Sequence, residues 1–230
     1  MPKISNRNLR STNPSALVRF MLIAEVVLYV AAMAAFLRYA LPVKQVRWYV
    51  IAFGIFAAAF PIAMNLLHGD RPADSGLRFD NLAASAKLTA GSLIVMVTMV
   101  VITGFIMNSW HWMSWKHLSE RSATYLPWGP AQQYLLQAFA LRRLRQAGLG
   151  SVAAVIFAAG IFAFLHMPNW PLVALTFAGG LVWCSLFLRK PNIIILGLAH
   201  GILAVLIYYA LPEEWLQRLT VGGDYLRRIK

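Results

Sequence analysis

The feature that most constrains this chain is a succession of apolar segments joined by short polar or basic connections. Runs from Phe20 to Leu41, Trp48 to Leu67, Gly91 to Met107, Ser151 to His166, Pro171 to Leu188 and Asn192 to Leu211 recur along it. Each approaches the roughly 20 residues that cross about 30 Å of hydrocarbon. A seventh stretch, WGPAQQYLLQAFALRRL from Trp128 to Leu144, is apolar apart from its glutamines and terminal arginines. Backbone polar groups in hydrocarbon must be satisfied within the segment, which favours helices. The pattern predicts an all-α, polytopic membrane helical bundle of about six to eight transmembrane helices. Composition agrees: the chain is 60% hydrophobic and 13% charged, with mean hydropathy +0.62, against roughly 45–50% apolar in soluble domains. Its 230 residues suit one integral membrane domain, 1–230.

A net charge of +13 would suggest nucleic acid in a soluble protein. Here the basic residues gather at the ends of apolar runs, where they orient helices and meet anionic headgroups, so membrane lipids and not nucleic acid are the expected partners. If the glutamine helix crosses fully, one side collects Lys3, Arg7, Arg10, Arg71, Arg78, Lys87, Arg142, Arg143, Arg145, Arg189 and Lys190. The positive-inside rule makes that side cytoplasmic. The basic, amphipathic tail from Pro212 to Lys230 then falls on the opposite side, suited to the membrane surface. The first apolar run is long for a signal peptide and carries Glu25, so a retained span is expected. HGDRPADSGLRFDNLAASAK reads as a surface loop, and Trp110, Trp112 and Trp115 as a headgroup belt. Cys184 is the only cysteine, which excludes an intrachain disulfide.

Polar groups at membrane depth are costly and mark candidate functional residues. They are Glu25, Gln132, Gln133, Gln137, His166 and His200. Gln133 and Gln137 are four apart and share a helix face, with Gln132 displaced by about 100°. His166 closes FAFLH, and His200 lies between Gly197 and Gly201, a spacing that lets another helix approach closely. Glu25, the only acid in a candidate span, is expected to partner a buried arginine or hydroxyl, with a place near the site as the alternative.

A glutamine helix followed by two histidine-bearing spans resembles the CPBP intramembrane proteases, also called the CAAX-protease and bacteriocin-processing, or Abi, family. Its signatures run EExxxR, FxxxH, then HxxxN or HxxxD. Here QQYLLQ (Gln132 to Gln137) stands at the first, FAFLH (Phe162 to His166) matches the second, and HGILA (His200 to Ala204) supplies the third histidine without its Asn or Asp. The likeness covers a core at 128–211. It implies a glutamate and a histidine activating water, with the second histidine stabilising the oxyanion. An amide cannot take a proton, so Gln132 can position water but not act as base. At Gln133 and Gln137 the resemblance implies a paired glutamate and arginine, and the two amides are expected to bond to each other as neutral replacements.

Three functions follow. The first is an intramembrane endopeptidase acting on a membrane-associated or lipidated protein or peptide, with His166, His200 and Gln132 catalytic and Gln133 and Gln137 as supporting polar residues. The second is a proteolytically inactive relative that binds a membrane peptide or partner, in immunity or sorting. The third is a transporter or structural subunit. No cofactor is expected, because two histidines without a carboxylate or thiolate provide a metal poorly. A bacterial inner (cytoplasmic) membrane is the expected location.

Overall fold

The computed structural model describes residues 14–41 and 47–229, so Lys3, Arg7 and Arg10 lie outside the described residues. Ser15 accepts the Val18 N–H and starts α1 (Ala16–Ala35), which widens into a π-helical turn, Phe36–Ala40. Then follow α2 (Arg47–Leu67), α3 (Leu82–Ile106) and α4 (Trp115–Gln133). Helix α4 runs without a break through a π-helical stretch, Tyr134–Leu141, into α5 (Arg142–Gln146). The remaining long helices are α6 (Ser151–Phe164), α7 (Trp170–Arg189) and α8 (Ile193–Ala210). A short α9 (Glu213–Leu216), a 3-10 turn and α10 (Gly222–Arg228) form the tail.

Among the described residues no strand occurs. Five helices are long and apolar enough to cross a membrane, and α6 is a shorter apolar helix. With the continuous α4–α5 helix this is the all-α membrane bundle expected from the segment pattern. Two boundaries differ. Helix α3 starts at Leu82, so Leu82 to Lys87 leaves the expected loop; alanine-rich LAASAK favours helix once Asn81 ends the turn chemistry. The tryptophan segment also divides. Ser114 caps the N-terminus of α4 by accepting the His117 N–H, and everything from Trp115 onward is helix continuous with the glutamines.

Loop 68–81, α5 and the start of α8 meet at one end. Ile193 N–H donates to Gly76 O, Asn192 Nδ2 to Arg78 O, and Arg142 Nη1 to Asp74 O. Arg71, Arg78, Arg142, Arg143, Arg145, Arg189 and Lys190 therefore share that end, as the crossing of the glutamine helix requires. The tail occupies the other end.

Two devices hold the bundle. The first joins α4 to α8, and glycine makes it possible. A Cβ added at Gly129 would lie 2.2 Å from Gly197 O; at Gly197, 2.3 Å from Pro130 Cα; at Gly201, 2.7 Å from Tyr125 O. The glycine spacing read from α8 thus receives α4.

The second device is a buried polar cluster at the arginine-rich end. Arg143, with no exposure, donates Nε to Glu25 (3.0 Å), Nη1 to Asp70 (3.1 Å) and Nη2 to Asn65 (2.8 Å). Arg142 Nη2 meets the same Asp70 at 2.5 Å, and His68 Nε2 lies 2.7 Å from Glu25. Glu25 is a partner of a buried arginine, not a wall of the cavity described below. These bonds tie α1, α2 and loop 68–81 to α5. Beside them Tyr29 stacks on Phe60 and meets Phe139 edge-on.

Gly129→Ala is expected to lower stability by about 3 kcal/mol, the upper end for overpacking. Gly91→Ala, whose Cβ would meet nothing within 4 Å, should leave stability unchanged or raise it by about 0.5–1 kcal/mol. Thermal melts in detergent compare them, and equal effects would refute the close approach. Asp70→Ala, by removing the carboxylate that two buried guanidinium groups share, should cost about 3–5 kcal/mol in the same assay.

Candidate active site

Between α1–α2 and the rest of the bundle lies a cavity of about 450 Å³. Its wall is mostly aliphatic and aromatic, and the described residues that line it include no Asp, Glu, Lys or Arg. Gln132 from α4, His166 from the end of α6 and His200 from α8 all reach it. The structure therefore brings together three residues drawn from segments 34 and 68 positions apart in sequence, counting from Gln132.

Helical geometry explains which glutamine goes where. Gln132 faces the cavity, whereas Gln133, one position round the helix, points at α8 and is fully buried. There its Nε2 lies 2.8 Å from His200 Nδ1. The expected bond between Gln133 and Gln137 is absent. Gln133 Oε1 and both amide atoms of Gln137 have no partner, although both side chains have no exposure. The helix changes to π geometry after Gln133, and with an i→i+5 pattern a spacing of four no longer guarantees the contact of an α-helical turn.

Hydrogen bonding assigns each imidazole its role. His166 Nδ1 lies 2.6 Å from Phe162 O. A carbonyl only accepts, so Nδ1 carries the proton and Nε2 keeps its lone pair. At His200 the amide N–H of Gln133 donates to Nδ1, which leaves the proton on Nε2. One ring can accept a proton, and the other can donate a hydrogen bond. Phe162 contacts both edge-on, with ring centroids 4.7 Å from His166 and 5.8 Å from His200.

Ala204 also lines the cavity, at the place where the resembled motif has Asn or Asp, and its methyl offers no hydrogen bond. Among the described residues no three His, Cys, Asp or Glu side chains form a group able to hold a metal ion. The candidates read from sequence do not include Tyr125, Trp128 and Thr176 in the wall, nor the tail, which contributes Leu219 and Val221. Tyr125 and Trp128 lie seven and four positions before Gln132 on α4, a spacing that puts all three on one face and could have found them. Thr176 and the tail arrive from other elements, for which spacing along α4 carries no signal.

Gln137→Leu is expected to raise stability by about 1–3 kcal/mol, because it removes a buried amide without partners. Chemical or thermal unfolding in detergent measures this. A loss of similar size would mean that the amide is paired through water.

Residues 129–206 match the family model described as Type II CAAX prenyl endopeptidase Rce1-like. No curated protein and no solved structure matches the chain. The matched segment contains Gln132, Gln133, Gln137, His166 and His200, and among the described residues five helices are apolar enough to cross a membrane. The chain is an integral membrane protein, and its residues 129–206 are similar to the CPBP, or CAAX-protease, family.

Proposed function

We propose that this protein is an intramembrane endopeptidase that cleaves a membrane-associated or lipidated protein or peptide in the cavity, using His166 as base. The supporting observation is the pair of opposite tautomers, His166 with a free Nε2 and His200 with an Nε2–H, lining one cavity with Gln132. In this scheme the Gln132 amide holds a water against His166 Nε2. The imidazole takes a proton as the oxygen attacks the scissile carbonyl carbon, and the oxyanion receives the hydrogen bond of His200. The imidazolium then returns its proton to the departing amine as the C–N bond breaks. General-base help is typically worth about 10²–10⁴ in rate, and one oxyanion donor about 10²–10³. The scheme requires no cofactor. The location we assign is a bacterial cytoplasmic membrane, with the arginine-rich end on the cytoplasmic side and membrane lipids around the bundle.

A second reading, a proteolytically silent binder of a membrane peptide, draws support from the uncharged cavity wall and from Ala204. The two separate in a comparison of membrane-protein termini by mass spectrometry. Cells lacking the protein are set against cells complemented with the unaltered chain or with His166→Ala at equal expression. The endopeptidase predicts termini present only with the unaltered chain, and a loss of about 10² or more in their rate of formation in His200→Ala. Rescue of a deletion phenotype without any new terminus would establish the binder.

A further inference from the structure

Charge alone places the tail on the membrane surface, yet it reaches the cavity. Leu219 and Val221 line the wall beside residues of the loop that carries His166. Asn169, with no exposure, commits its side chain to this junction. Its Oδ1 accepts the Leu172 N–H that begins α7, and its Nδ2 donates to Leu216 O (2.8 Å) and Thr220 O (3.1 Å). Both amide hydrogens are thus spent on the tail. The Gly222 N–H donates to Met167 O, and the Asn169 N–H to His166 O. One short loop therefore positions the histidine and the tail together.

The segment between these anchors holds a strained backbone. Gln217, Arg218 and Leu219 have φ of 46°, 54° and 59°, a left-handed run that L-residues adopt singly and not in series. Such a run persists only where the surroundings over-determine it. Gly222 adds a second constraint, because a Cβ there would lie 2.3 Å from Leu37 O. Outside the cavity Arg218 Nε bonds Glu213 at 2.6 Å, and this guanidinium holds the Glu213 carboxyl below the usual carboxylate range.

We infer that residues 216–222 form a specificity-determining end wall of the cavity, clipped by Asn169, and that Leu219 and Val221 set the length of apolar chain the cavity admits. The wall stands on the geometry alone; its role in specificity rests on the function proposed above. Asn169 acts through this wall, so it is a positioning residue.

The test uses the full chain in nanodiscs. Cys184 has no exposure, so the thiol introduced by Leu219→Cys reports its own surroundings. N-ethylmaleimide should label it slowly, and adding Asn169→Asp, which turns the two donors into acceptors facing carbonyls, should speed labelling by about tenfold or more. Gly222→Val releases the same segment by a different route and serves if Asn169→Asp fails to fold. Binding of dansyl-labelled alkylamides of increasing chain length is then measured by fluorescence. Leu219→Ala should move the preferred length upward and Leu219→Trp downward.

Rapid labelling of the Leu219→Cys variant with no second substitution would overturn the wall, and slow labelling that neither released variant changes would overturn the clip. A protected thiol at position 219, together with a length preference that neither Leu219→Ala nor Leu219→Trp moves, would overturn the specificity role. If that thiol is protected and no alkyl chain binds any variant, the specificity role is overturned while the wall stands, and the comparison of membrane-protein termini decides the proposed function separately.

Discussion

The close approach of α4 and α8 is the constraint on which the site depends. Gly129, Gly197 and Gly201 let the two backbones come within distances that a single methyl group would occupy, and only at that separation does Gln133 reach His200 at 2.8 Å. This hydrogen bond fixes the ring and its tautomer, and hence what His200 can offer the cavity. The glycines have no side chain to offer the cavity, but the hydrogen bonding of the imidazole is set by how closely they let the helices pack. Such contacts suit a membrane, where the solvent gives little hydrophobic drive and tight packing must supply the association.

The distribution of charge follows a related logic. Two carboxylates and two guanidinium groups lie together at the arginine-rich end, each making at least two hydrogen bonds. The cavity wall, by contrast, includes no charged side chain among the described residues. A buried ion pair is secure only when every partner is present, and the cluster draws its partners from α1, α2, loop 68–81 and α5. It ties the first two helices to the core at one end and leaves the cavity between them and the core further along. Tyr29 and Phe139, in edge-on contact, both line that space.

Much of this is legible in the sequence, for physical reasons that differ by residue. Helix count and class follow from apolar length, because hydrocarbon thickness is fixed. The glycine spacing around His200 announces a close neighbour, and Glu25 announces a buried arginine, since neither feature survives in a bilayer without a partner. The lack of a Gln133–Gln137 bond is not legible, because spacing converts to contact only through α-helical geometry, and the helix turns π after Gln133. The end of loop 68–81 is hidden because its polar composition blends into the alanine-rich start of α3. The charge of the tail does not disclose its docking. That depends on Asn169, whose place before Trp170-Pro171 signals a helix cap but not the two carbonyls it also holds. Contacts between distant elements leave no periodic trace.

What the amides change can be put in energetic terms. In the proposed scheme the imidazolium formed at His166 would stand in a cavity whose wall holds no carboxylate among the described residues. A unit counter-charge about 4 Å away would be worth about 4 kcal/mol at an effective dielectric constant near 20. Lost from the barrier alone, that is about 10³ in rate. Gln132 can hold the water but cannot recover this term, because an amide dipole does not match the field of an ion. The same neutrality removes the desolvation penalty that a buried carboxylate would impose on an empty cavity. The site is therefore easier to keep dry and apolar, and weaker as a base. Under the proposed function, binding and hydrolysis lie along one scale: the apolar wall favours an apolar substrate, and the electrostatics would set how fast it is cut.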